Sequence, residues 1–147
     1  MIPEYNRIFA ALDGQSTQRV VAQKAVRIAS ASHAELRFGH VVDAVPTEAS
    51  AVNFKDLCGE FKRQIEEALA DVLKAAEEDE NIPKVELVVE AGSINETLDR
   101  DLIEPYNPDL VICGERGLSK IKYAFVGSVS THLIRTLRCD VLVIKQD

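Results

Sequence analysis

Asp109-Leu110-Val111-Ile112-Cys113, followed at once by Gly114-Glu115-Arg116-Gly117 and, nine residues later, by Gly127-Ser128, is the stretch on which the reading of this chain turns. A short unbroken apolar run suits a parallel strand covered on both faces, because neither face then calls for polar residues. Beyond Gly127-Ser128, the residues Val129, Leu133, Ile134 and Leu137 recur at helical spacing, and Ser128 is of a type favoured at a helix start. A glycine pair therefore leaves a strand, and a glycine and a hydroxyl enter a helix. Glycine permits conformations and close approaches closed to other residues, and a helix N-terminus offers unpaired amides and positive dipole to an anion. The combination reads as a phosphate cradle; the plainer alternative is that Gly114, Gly117 and Gly127 are turn and cap residues.

Toward the N-terminus, the same alternation of strand and helix repeats. Residues 5–12 read as a first strand with the continuous run Ile8-Phe9-Ala10-Ala11-Leu12, broken by Asp13-Gly14-Gln15-Ser16. Ser16 is placed to cap a helix over 16–32, whose Val20, Val21, Ala25, Ile28 and Ala29 form one stripe. A second strand is expected over 34–42, a loop with Pro46 after it, and then one long helix over 52–79 with Phe54, Leu57, Phe61, Ile65, Leu69, Val72 and Leu73 every three or four residues. The acidic run Glu77-Glu78-Asp79-Glu80 at its end reads as solvated surface. Residues 84–90 alternate as a strand at or near a sheet edge, and Ser93 with Glu96 has the spacing of a capping box for a helix over 94–103. Pro105 and Pro108 end that helix ahead of strand 109–113; a helix over 128–138 and a strand over 140–145 complete the chain. Such alternation predicts a three-layer α/β/α fold with a five-stranded parallel sheet, in one domain over residues 1–147.

Composition narrows the function. With 147 residues and 46% hydrophobic content the chain can bury a sizeable core, and 17 Lys plus Arg against 24 Asp plus Glu leave a net charge of −7. The basic footprint of a nucleic-acid binder is absent. Cys58, Cys113 and Cys139 lack metal or redox spacing and suit a reducing cytoplasm, and no apolar run approaches the ~20 residues that would span a bilayer. A cytoplasmic protein with no nucleic-acid or membrane partner is expected.

The pattern Gly114, Gly117, then Gly127-Ser128 resembles the nucleotide-binding signature of the universal stress protein family, without insertion. Ile8 to Ser16 is similar to that family's first strand with its acidic end, His40-Val41-Val42-Asp43 to its second strand end, and Cys139 to Ile144 to its last strand. The resemblance implies a Rossmann-like sheet of order 3-2-1-4-5, of the adenine nucleotide alpha hydrolase type. In that order Asp13 and the Gly114 loop meet where the sheet reverses, the place at which open α/β sheets bind ligands.

The resemblance further implies ATP, ADP or AMP as ligand. Phosphates would rest on backbone amides at Gly117, Gly127 and Ser128 and on the Ser128 hydroxyl, with Val129 and Ser130 following at the helix start. Adenine would meet backbone at Val41 and apolar contact from Ala11 and Cys113, although the preferred reading of Cys113 is a buried hydrophobe. Asp13 would accept a ribose hydroxyl or hold Mg2+, its plain alternative being to cap the Gly14 turn or the first helix. Arg116 is the candidate phosphate contact, with surface solvation as the alternative. Glu115 departs from the small or hydroxyl residue common in the family and would weaken a triphosphate if it faced the site.

No serine or cysteine has a recognisable base partner, and His33, His40 and His132 lie in separate segments, so hydrolysis is expected to be slow or absent. The apolar strand 140–145 would form an edge, and pairing with its own copy would bury it in a homodimer. The leading expectation is a nucleotide-responsive regulatory module acting on a protein partner. The alternatives are a slow Mg-dependent ATPase and a nucleotide-free dimeric adaptor.

Overall fold

The computed structural model describes residues 4–15, 17–43, 54–115 and 128–145. Five parallel strands form one sheet, β1 (Arg7–Ala11), β2 (Glu35–Asp43), β3 (Val85–Gly92), β4 (Leu110–Gly114) and β5 (Asp140–Ile144), in the order β3-β2-β1-β4-β5. Successive residues of the central strands serve opposite faces, as the pleat requires. Ile8, Ala10, Leu36, Phe38, Leu110 and Ile112 pack on one side, against α1 (Gln18–Ser32), α2 (Phe54–Ala68) and α3 (Ala70–Glu78). Phe9, Val41, Val111 and Cys113 pack on the other, against α4 (Ile94–Thr97), the wider turn that continues it over Leu98–Ile103, and α5 (Ser128–Thr136). The three-layer arrangement and the strand order are as expected.

Local details depart from the expectation. The helix foreseen over 52–79 is two helices, interrupted at Leu69, whose φ/ψ of −115°/21° is not helical. The carbonyl of Ala68 accepts the Arg19 guanidinium at 3.4 Å, and Arg19 also pairs with Asp71, so a side chain from α1 tilts the ladder at that point. The Ser93/Glu96 capping box does not form. Ser93 occupies the N-cap without a side-chain bond, and Glu96 instead accepts Arg100 Nη1 at 2.8 Å, one helical turn on. Beyond Thr97 the helix widens: Glu104 N–H donates to Asp99 O, five residues back, at 2.9 Å. Widening brings Leu98, Leu102 and Ile103 together onto the sheet, and all three are buried.

At α1 the N-cap is Thr17, one residue beyond the expected cap; Ser16 lies outside the described residues. β2 and β1 touch closely at Gly39, where an added Cβ would sit 2.3 Å from Phe9 Cζ, so only glycine lets that ring lie flat against the neighbouring strand.

Candidate functional site

β1 pairs with β2 on one side and β4 on the other, so the chain leaves β1 toward one half of the sheet and returns to its other flank at β4. Adjacent loops therefore diverge at the C-terminal ends of β1 and β4, opening a crevice at the switch point. Asp13 stands at its β1 side. Its Oδ1 accepts the Gln15 N–H at 2.8 Å, and its Oδ2 accepts the Thr17 hydroxyl at 2.5 Å. The carboxylate thus closes the Gly14 turn and ties it to the start of α1, while each oxygen keeps a further lone pair. Gly14 takes φ +76°, and a Cβ there would lie 2.9 Å from His40 Cε1. His40 is itself buried; its Nδ1 donates to the Leu12 carbonyl at 2.8 Å and its ring stacks on Phe61 with 6.0 Å between centres. The turn is therefore held from two sides, by Asp13 along the chain and by His40 from β2.

On the β4 side, Gly114 lies against Thr17: a Cβ would be 2.8 Å from Thr17 Oγ1 and 3.0 Å from its Cβ. The glycine lets the end of β4 approach the first turn of α1. Glu115 carries β4 one step further, its N–H donating to Ile144 O at 2.8 Å, and its carbonyl accepts the Ser130 hydroxyl at 3.4 Å. Ser130 is buried and Val129 half-buried in the first turn of α5. Chain leaving β4 and chain entering α5 are joined here, although 15 residues separate the two partners.

Cys113 is 2% exposed, and burial pushes its thiol up to about 11. It serves as a buried apolar residue facing the α4 and α5 side, and Ala11 packs on the same cluster. Val41 is on β2 beyond the last residue paired with β1, Gly39. Glu35 and Gly39 direct their backbone groups at β1, to Asn6 and Leu12, so the alternation along β2 turns the Val41 amide and carbonyl to that same side, where β1 has ended. The structure thus gathers Ala11, Asp13, Val41, Cys113, Gly114, Val129 and Ser130 around one end of the sheet. Arg116, Gly117 and Gly127 lie outside the described residues, and of Ser128 only the helical backbone is described.

Two residues escaped the sequence reading. Thr17 bridges Asp13 and Gly114; the available signal is a hydroxyl residue four positions after Asp13, whereas the sequence points to Ser16 as the cap. Gln18, the next residue, is 8% exposed with Oε1 buried and without a partner among the described residues. A buried amide oxygen lacking a donor is unusual and invites one from elsewhere. Among the described residues no group of three or more His, Cys, Asp or Glu could hold a metal ion, and no helix is long and apolar enough to cross a membrane.

A parallel α/β sheet with a small-residue crevice at its reversal defines a broad class of ligand-binding α/β domains. Within it, the sequence profile of the universal stress protein family matches residues 4–145, and the chain belongs to that family. A Staphylococcus haemolyticus protein bearing the universal stress protein name is 29% identical over 146 residues, covering 97% of this chain and 86% of its own. The fold is shared with universal stress protein UspA from Lactobacillus plantarum, at TM-score 0.77 and 22% identity, covering 95% of this chain and 97% of that one. It is shared too with a universal stress protein solved in complex with cAMP, at TM-score 0.66 and 23% identity over 95% of this chain and 97% of that one.

Proposed function

We propose that this universal stress protein binds ATP or a related adenine nucleotide in the crevice between β1 and β4 and acts as a nucleotide-responsive regulatory module. The observation that carries the reading is the junction of Glu115 with Ser130, which sets the end of β4 beside the amide-rich first turn of α5. The backbone of Val41, turned to the side β1 has vacated, can meet the adenine edge, with Ala11 and Cys113 as its apolar neighbours. Asp13 would accept a ribose hydroxyl, or hold Mg2+ through its remaining lone pairs. Phosphates would fall to Gly117, Gly127, Ser128, Val129 and Ser130, with Arg116 as the charged contact. Since the chain carries a net −7, such a tail is held by local amides and cations against the overall field. The bound complex with cAMP in a relative of like fold supports the adenine class.

The same proposal includes a homodimer through β5, supported by the half-exposed Val141, Leu142, Val143 and Ile144 along an outer edge. A cytoplasmic setting accords with three free cysteines. Hydrolysis is slow or absent in this reading, so nucleotide incubated with the protein is recovered intact.

Calorimetric titration with ATP, ADP, AMP and cAMP tests it. Saturable heat with Kd below about 1 mM is expected, and none up to that level removes the nucleotide claim. If Glu115→Ser binds where the parent does not, the ligand-free adaptor replaces it.

A further inference from the structure

The sheet's other edge, one strand beyond β2, carries a second candidate site. β3 is bonded to β2 alone, and its backbone directions follow from one contact: Leu36 N–H donates to Lys84 O, so even-numbered residues face β2. Val85, Leu87, Val89 and Ala91 consequently turn their amides and carbonyls outward, and they have no backbone partner beyond β2 among the described residues. A groove of about 870 Å³ runs beside them between α2 and β3, with Val85, Leu87, Val89 and Leu73 as its floor and Phe54 and Cys58 of α2 on its wall. Edge strands in native proteins are blunted by lysine, proline or bulges. β3 has none of the first two, and its charges are Glu86 and Glu90.

The geometry points to β3 as a docking strand for an extended segment of a partner protein, apolar and basic at alternating positions, which adds to the sheet as a sixth strand. Main-chain bonds to the outward groups would supply affinity, and alternate side chains would supply selectivity. Apolar side chains of the added strand would continue the Val85, Leu87 and Val89 face into the groove. Its basic side chains would fall on the opposite face, beside Glu86 and the exposed Glu90. The charges agree: on the helix side Glu66 and Glu77 are matched in number by Lys55 and Lys62, which leaves Glu86 and Glu90 as the excess on the face that takes the basic side chains. Glu86 is fixed in place by Arg37, whose Nε donates to it at 2.7 Å while the guanidinium lies 4.3 Å from the centre of the Tyr106 ring. A second copy of β3 does not supply the basic side chains, since the strand carries Glu86 and Glu90 and no lysine or arginine. Antiparallel pairing of two β3 strands about Val88 would oppose Glu86 to Glu90 twice, and directly opposed like charges destabilise a sheet.

The probe is a capped, fluorescent peptide alternating valine and lysine over the 8-residue length of β3. Controls are the valine/glutamate peptide and a valine/lysine peptide N-methylated on alternate amides. Anisotropy should show saturable binding at least about tenfold tighter than either control. Amide exchange should slow at Val85, Leu87, Val89 and Ala91, with little change at the even positions already bonded to β2. Glu90→Lys, at an exposed position, should weaken binding about tenfold. Val89→Pro, which removes one outward donor and no β2 bond, should do the same, its fold checked by circular dichroism. Equal binding of the N-methylated peptide, full affinity in Glu90→Lys, or protection confined to α2 would overturn the proposal. Self-association of the parent chain abolished by Val89→Pro would also overturn it, in favour of a second copy.

Discussion

β1 at the centre of the sheet and β3 at its edge are both apolar strands, yet they are put to different use. Ile8, Phe9 and Ala10 are wholly buried, with helices on both faces and a strand on each side. Val85 to Val89 are half-exposed, with one strand neighbour. The centre gives up all freedom to become a platform, its backbone groups spent on a strand to either side. The edge keeps backbone groups unspent along its length. What an apolar strand can do thus depends on its neighbours more than on its composition.

Thiol chemistry should expose this contrast most sharply. Cys113 on β4 is 2% exposed while Cys58 borders the β3 groove. Burial raises both thiols, Cys113 to about 11, and for Cys58 the Glu90 carboxylate adds to the effect. Native-state labelling of Cys113 should be slower than that of Cys58 by about a thousandfold or more, because it waits for an opening of the core. Comparable rates would mean that the centre is not the rigid half.

Truncation should rank the same way. Phe9→Ala should cost about 3–5 kcal/mol by urea unfolding, as expected when a fully buried aromatic is removed. At the crevice, Gly114→Ala should cost about 1–3 kcal/mol through its overlap with Thr17. Thr17→Ala in the same chain should recover part of that loss, as a double-mutant cycle would reveal. Val89→Ala at the edge should cost about 1 kcal/mol or less, since the side chain is already partly wet. A larger loss at Val89 than at Phe9 would reverse the comparison.

The smallest effect concerns the opposite edge. The Tyr5 hydroxyl donates to Asp140 Oδ2 at 2.8 Å, tying the residues before β1 to the start of β5. That bond, with some burial, lifts the phenol from 10.0 to about 12. A raised folded value means that the contribution is complete below pH 10 and is lost as pH rises through about 12. Phenolate absorbance should show two late-titrating tyrosines, Tyr5 and the half-buried Tyr106, of which only Tyr5 returns toward the ordinary range in Asp140→Asn.

Much of this was legible in the residues. The unbroken apolar runs at Ile8 and Val111 announce strands covered on both faces, and Val85, Leu87 and Val89 announce an edge, because burial is written into periodicity over a few residues. The crevice was legible in part, through Asp13 and Gly114. Thr17 was missed because its meaning comes from Gly114, almost a hundred residues away. The break at Leu69 was missed for a like reason: the helical pattern there is unbroken, and the disturbance comes from Arg19 on another helix. The Ser93/Glu96 signal misled because a local motif competes with Arg100 for the same carboxylate.

By itself, then, the sequence determined the alternation of strands and helices, the buried character of β1 and β4, and the acidic field any ligand must meet. The strand order rested on family likeness until the pairing was seen. Only the tertiary structure decided that Glu115 meets Ser130, that Asp13 secures Thr17, and that a groove opens along β3. Periodicity reports which face of an element is hidden; it carries no record of what lies on the far side of the contact. That record exists only once distant segments are brought together in space.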